Sequence, residues 1–115
     1  LELLAADPRI VVRYRKFDDF ARQCQAGLAE IQTPWVLSMD ADYRVTDALA
    51  AEIDALTPAE AVAGFEIGFR WCVHGQLLRG ALYPPRVMLH RVEGARYYML
   101  GHGHRVAVDG QVEAL

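Results

Sequence analysis

An apolar run that ends abruptly in two carboxylates, Trp35-Val36-Leu37-Ser38-Met39-Asp40-Ala41-Asp42, constrains this chain more than any other stretch. Opening after Pro34, it reads as a buried strand that delivers Asp40 and Asp42 to the carboxyl end of a sheet. Open α/β folds keep their ligands outside that end. With only Ala41 between them, the two carboxylates reach the same side once the strand runs out. Two hard oxygen donors there suit Mg²⁺ or Mn²⁺, and an ion so held would hold a diphosphate. Asp-x-Asp by itself is also an ordinary turn sequence. The strand before it, the small residue inside it and the helix start after it favour the metal reading.

The flanking segments fit an α/β arrangement. Leu1 to Ala6 reads as the last turns of a helix stopped by Asp7-Pro8, so the chain is expected to open in mid-fold. Arg9 to Tyr14 (RIVVRY) is rich in β-branched residues and is expected to form a strand. Asp18 is placed to cap a helix that carries Phe20, Cys24, Leu28 and Ile31 on one face and packs on the sheet. Thr33-Pro34 ends it. The order helix, strand, helix, strand is the pattern of parallel strands joined by right-handed crossovers, half of a nucleotide-binding fold.

Beyond the aspartates, Thr46 or Asp47 caps a second helix with Leu49, Ile53 and Leu56 inward, closed by Thr57-Pro58. From Ala63 the period changes to two: Phe65, Ile67, Phe69 and Trp71 alternate with Glu66, Gly68, Arg70 and Cys72, a strand with one covered face. His74-Gly75 is a turn. Leu77 to Pro85, with Gly80 and Pro84-Pro85, reads as an irregular loop crossing the sheet surface. Val87 to Arg91 and Arg96 to Leu100 are expected strands around Glu93-Gly94. Arg105 to Val108 is a last short strand before Asp109-Gly110.

Composition narrows the function classes. A chain of 115 residues that is 53% hydrophobic and 23% charged can bury a core as one small globular domain. The net charge of −3 predicts no nucleic-acid or other polyanion binding. No apolar run approaches the roughly 18 residues of a membrane span, and the first residues lack the basic start of a signal peptide. Cys24 and Cys72 are too far apart for a Cys-x-x-Cys motif. Both are expected to be buried thiols in a reducing compartment rather than a disulfide.

Taken in order, RIVVRYRKFDDFARQ, TPWVLSMDAD, a helix, FEIGFRWCVHGQLLRGALYPPRVMLHR and GHGHRVAVDGQVEAL resemble the middle and later parts of a family 2 glycosyltransferase of the GT-A fold. The nearest likeness is to bacterial enzymes that extend lipopolysaccharide cores or other envelope glycans. The resemblance covers nearly the whole chain. Its most specific parts are the placed Asp-x-Asp, Tyr83-Pro84-Pro85-Arg86 and the Gly101-His102 that follows. It implies an α/β fold, a Rossmann-like mixed sheet with flanking helices, lacking the first strand, helix and strand that bind the nucleotide base. Residues 1–58 would be the later part of the nucleotide-binding half and 59–115 the acceptor-side half.

The activity implied is inverting transfer of a sugar from a nucleotide-diphosphate donor, usually a uridine diphosphate sugar, to a glycan or lipid-linked acceptor. Mn²⁺ or Mg²⁺ on Asp40 and Asp42 would assist departure of the diphosphate. The resemblance also implies a cytoplasmic location, with work at the inner face of the membrane. Glu66 is the candidate base for the acceptor hydroxyl if it is buried, and a solvated strand residue if it is not. His102, between two glycines, is a candidate third metal ligand or diphosphate contact, with His104 the alternative. A loop histidine without a role is the bland reading of His102. Arg79 and Arg86 bracket the Tyr-Pro-Pro loop and could hold a diphosphate or an anionic acceptor by paired hydrogen bonds, Arg86 being preferred. Tyr83 and Trp71 are candidates for stacking on a sugar ring, with core packing the competing role of Trp71. His74 and His90 read as a turn residue and a strand residue.

Two rival classes remain. One is a noncatalytic truncated GT-A module. The other is a phosphatase of the haloacid dehalogenase type, which wants Thr or Val two residues after the second acid. Here that position is Arg44, and the chain's only lysine is Lys16.

Overall fold

The computed structural model describes residues 6–80 and 82–115, a mixed α/β structure with more sheet than helix. Its elements among the described residues are α1 (Phe20–Leu28), β1 (Trp35–Leu37), α2 (Asp47–Asp54), β2 (Val62–Ile67), β3 (Cys72–Val73), β4 (Gln76–Leu77), β5 (Arg86–Arg91), β6 (Arg96–Leu100), β7 (Gly103–Ala107) and β8 (Gln111–Ala114). The helix expected over Leu1 to Ala6 falls on residues 1–5, outside the described residues, with Ala6 in a turn. Ala81, within the expected Leu77–Pro85 loop, also lies outside them. No helix among the described residues is long and apolar enough to cross a membrane.

Four strands form one sheet in the order β1-β5-β2-β8. β5 runs antiparallel to both β1 and β2, and β2 runs parallel to β8. The strands β1, β2 and β8 therefore point the same way, and the amino end of β5 lies beside the carboxyl ends of β1 and β2. Strands from residues 1–58 and 59–115 thus share a single sheet. Val62, Phe65, Ile67, Met88 and Leu89 make the core on β2 and β5, and Trp35, Leu37, Leu49, Ile53 and Leu56 pack against it. Burial of each such large apolar side chain contributes roughly 1.5–3 kcal/mol.

The helices start where side chains can satisfy their free amides. Thr46 caps α2, its hydroxyl accepting from Leu49 N at 3.2 Å. At α1 the cap is Asp19, accepting from Arg22 N at 2.8 Å, and not Asp18. Asp18 is held by the fork of Arg15 at 2.7 and 2.8 Å, which keeps its carboxyl far below the usual range. The later start and the end at Leu28 leave Ile31 outside the helix. α1 buries Ala21 and Leu28 and packs on the β6–β7 hairpin, not on the four-stranded sheet.

Three strand expectations are also corrected. RIVVRY forms no strand: Ile10, Val11, Val12 and Tyr14 are 41%, 67%, 41% and 95% exposed. Local β preference does not make a strand without a neighbour to accept its hydrogen bonds, and this segment has none among the described residues. β1 is a half-buried edge strand of three residues and not a buried one. The period-two run from Ala63 buries Phe65 and Ile67 and exposes Glu66 as expected, but stops at Ile67. Its partner β5 begins opposite, at Arg86, after two prolines that donate no ladder hydrogen bond.

Beyond the break, His74 and Gly75 turn the β3–β4 hairpin with positive φ at both central residues (50° and 78°), the twist-matched geometry of two-residue turns. The strand expected at Arg105–Val108 runs from Gly103 to Ala107. It is followed by β8, which the sequence reading did not anticipate. Gly110 permits β8: a Cβ there would come within 2.7 Å of Ala61 O and of Ala63 Cβ, so only glycine lets the chain turn this close alongside β2.

Candidate functional site

Because β5 is inverted between β1 and β2, the sheet edge that receives Asp40 from β1 also receives Arg86 from the start of β5. Ser38 N donates to Met88 O at 2.8 Å, and Ile67 lies opposite Arg86, which fixes this register. The β6–β7 hairpin closes the other side, with α1 packed on the hairpin. The result is an open cleft lined by Asp40, Tyr43, Arg86, Tyr97, His104 and Arg105, with Ser38, Phe69, Val87, Met88 and Val106 completing it.

Arg86 is the best-embedded cation of the cleft. Its guanidinium lies 5.0 Å from the ring centroid of Tyr83 and 5.9 Å from that of Phe69. Tyr83 in turn packs against Trp71 at 5.3 Å. The two aromatic faces favour the cation and hold its plane. Arg86 Nε and Trp71 Nε1 are buried, and among the described residues neither has a hydrogen-bond partner. A buried donor without a partner is costly.

Tyr43 packs on Phe69 at 5.2 Å, and burial and then the Asp40 carboxylate beside it push its phenol up. Burial raises Tyr97, and the Ser38 hydroxyl partly offsets this. Cys24 Sγ lies 3.6 Å from His104 Nε2, and the imidazole is flanked by Phe20 (6.0 Å, stacked) and Tyr97 (5.8 Å). The expectation of two buried thiols is corrected: Cys24 is half-buried on α1 against His104, and Cys72 is exposed on β3, a two-residue hairpin strand.

Behind the cleft lies fully buried His90. Its Nδ1 is 2.8 Å from Arg91 O, which can only accept, so Nδ1 carries the proton and Nε2 accepts from Tyr97 Oη at 3.0 Å. Burial pushes the His90 pKa below the usual 6.5, against a smaller opposing effect of the Arg91 carbonyl. Below about pH 6.5 the unfolded chain then binds a proton that the folded chain resists. This contribution to stability is complete above that value and falls as the pH drops below it, by at most about 1.4 kcal/mol per pH unit. Urea unfolding between pH 7.5 and 5 should show a steeper loss for the wild type than for His90→Gln. Parallel curves would remove His90 as the cause.

Of the residues singled out in the sequence, the structure brings Asp40, Arg86 and Tyr83 to one place. Asp42 is exposed on the turn after Asp40, outside the cleft lining. Arg79 is exposed after β4. His102 is exposed at the tip of the β6–β7 hairpin, where Gly101 takes φ 61° as the first residue of the two-residue turn. The alternative, His104, is the histidine inside the cleft. Glu66 is exposed on β2 and does not line it, so the burial that its proposed role as base requires is absent. Among the described residues no group of three or more His, Cys, Asp or Glu side chains is arranged to hold a metal ion.

Sequence reasoning missed Tyr43 and Arg105 as cleft residues and Cys24 as the neighbour of His104. Tyr43 had a signal in standing next to Asp-x-Asp. The placement of Cys24 against a residue 80 positions later had none. Comparison of the chain with protein-family models, curated proteins and solved structures finds no match.

Proposed function

We propose that this chain is part of a GT-A glycosyltransferase whose cleft binds the diphosphate of a nucleotide-sugar donor. The observation that carries the reading is the pairing of opposite charges in one cleft, the Asp40 carboxylate and the Arg86 guanidinium brought to the same sheet edge. A diphosphate bridged by a divalent cation needs both, a carboxylate for the cation and guanidinium donors for the phosphate oxygens. A mixed sheet with one inverted strand, covered by α2, suits the same reading.

Carboxylate oxygens such as those of Asp40, in the cleft lining, and Asp42, on the turn beside it, suit Mg²⁺ or Mn²⁺. Such ions are commonly held by one or two carboxylates, with substrate phosphates and water completing the shell, so two protein ligands suffice. Asp40 and Asp42 are exposed and, among the described residues, in no ion pair. When bound, the ion would supply positive charge against the charge that develops on the leaving diphosphate.

The chain's own residues do the rest. Arg86 and Arg105 neutralise and orient phosphate oxygens, and the Tyr83 and Phe69 rings hold Arg86 in place. Tyr83, about half exposed, offers a face for a sugar ring. The acceptor would be a glycan or lipid-linked hydroxyl that attacks from the face opposite the diphosphate with inversion, its proton passing to a general base. Work at the cytoplasmic face of the membrane on envelope glycans belongs to the same proposal.

Calorimetric titration of uridine diphosphate into the chain with and without Mn²⁺ tests this. Binding that requires Mn²⁺ is expected. A folded chain that binds no diphosphate under either condition overturns the donor-site reading and favours a noncatalytic module.

A further inference from the structure

Buried His90 fixes the hydrogen-bonding polarity of one corner of the cleft. Arg91 O can only accept, so the N–H of the neutral imidazole is Nδ1, and Tyr97 must commit its hydroxyl hydrogen to Nε2 at 3.0 Å. The Tyr97 oxygen is left with lone pairs only. Tyr97 is held in place on β6: its amide donates to Gln25 Oε1 of α1 at 2.9 Å, Val106 of β7 lies opposite it, and its ring packs edge-on against His90 at 5.8 Å. It lines the cleft together with Ser38, just past β1. The Ser38 hydroxyl favours the Tyr97 phenolate, as a donor to its oxygen does. A Ser38 that donates to Tyr97 keeps only lone pairs of its own, so this corner offers acceptors whichever of the two oxygens meets a ligand.

The arginines of the same cleft, Arg86 and Arg105, carry only donors. Phosphate oxygens accept, so they suit the arginines and not the Tyr97 corner. A hydroxyl group suits that corner, because it donates to an acceptor already fixed in place and little ordering remains to be done on binding. We infer that Tyr97, with Ser38, recognises a hydroxyl of the ligand, from the ribose or from the transferred sugar, and so sets the sugar-bearing part of the donor apart from its diphosphate. This rests on the proposed donor site. His90 is the positioning residue behind Tyr97.

The polarity is tested without ligand. Ring-nitrogen NMR shifts of His90 should show hydrogen on Nδ1 and a bare Nε2; hydrogen on Nε2 would free the phenol to donate and overturn the inference. Recognition is tested by calorimetry in Mn²⁺ with uridine diphosphate, its 2′-deoxy and 3′-deoxy analogues, and uridine diphosphate glucose. For a ribose contact, loss of the recognised hydroxyl should weaken wild-type binding about three- to tenfold, the size of one neutral hydrogen bond. Tyr97→Phe should weaken uridine diphosphate by the same factor and the matching deoxy analogue no further. For a contact to the sugar, glucose adds affinity in wild type and not in Tyr97→Phe, and neither deoxy analogue differs from uridine diphosphate. Tyr97→Phe leaves His90 Nε2 without its partner, so Ser38→Ala, which spares that bond, is the second variant and should shrink the same difference. Equal weakening of every ligand in folded variants marks a merely structural role and overturns the contact, as does no weakening of any. Uridine diphosphate that fails to bind folded wild type overturns the donor site and this contact with it, an outcome distinct from binding that ignores Tyr97.

Discussion

With Asp40 and Asp42 both replaced by asparagine, uridine diphosphate binding is expected to lose its dependence on Mn²⁺ altogether. Asparagine keeps the size of each side chain and its carbonyl oxygen but removes the charge, and a hard divalent ion held by two carboxylates is held mostly by that charge. Affinity in the presence of Mn²⁺ should drop about a hundredfold, the equivalent of about 2.7 kcal/mol, to the level seen without metal. The fold should not suffer, because both positions are exposed. Calorimetry read alongside the thermal midpoint separates the two effects. Metal-dependent binding that survives in the double variant would show that the aspartates serve the turn and not the ligand.

Phe65→Ala is expected to be the most damaging single change to the fold. Phe65 is 2% exposed at the centre of the core, 5.8 Å from the ring of Trp35. With Ile53, Leu56 and Leu89 it borders the apolar space between α2 and the sheet. Truncation removes the ring's burial and enlarges a gap that a short helix cannot close. The loss should be about 3–5 kcal/mol, much of the total stability of a domain this size. Val112→Ala, on the outer strand β8 where Val112 is 42% exposed, should stay within about 0.5 kcal/mol of wild type. Urea unfolding of both variants checks the contrast. A Phe65→Ala loss no larger than that of Val112→Ala would refute the placement of the core.

What could be read ahead of the structure follows from the range of the forces involved. The start of α2 at Thr46 or Asp47 was legible because capping is a local event, and the structure gives the cap to Thr46. The turn at His74-Gly75 and the in-out pattern of Phe65, Glu66 and Ile67 were legible for the same reason. RIVVRY was misread because its composition states a preference for extended backbone, whereas a strand is a pairing. β8 is not legible because Gln111-Val112-Glu113-Ala114 is too short and too exposed for its alternation to mark a strand, and what allows it to pair is the absence of a side chain at Gly110.

The candidate site divides along the same line. Local sequence determined that two carboxylates follow an apolar strand and that a Tyr-Pro-Pro-Arg stretch leads into another, since strand propensity and chain termination act over a few residues. Only the tertiary structure decided that β5 runs against β1, and this inversion sets Arg86 beside Asp40. Only the tertiary structure put His104 in the cleft and His102 at the hairpin tip, one residue of turn geometry separating a wall from an exposed loop. It likewise brought Cys24 to His104. Contacts between residues far apart in the chain depend on how elements pack, and packing is settled by the whole core at once, so no short stretch of sequence carries them.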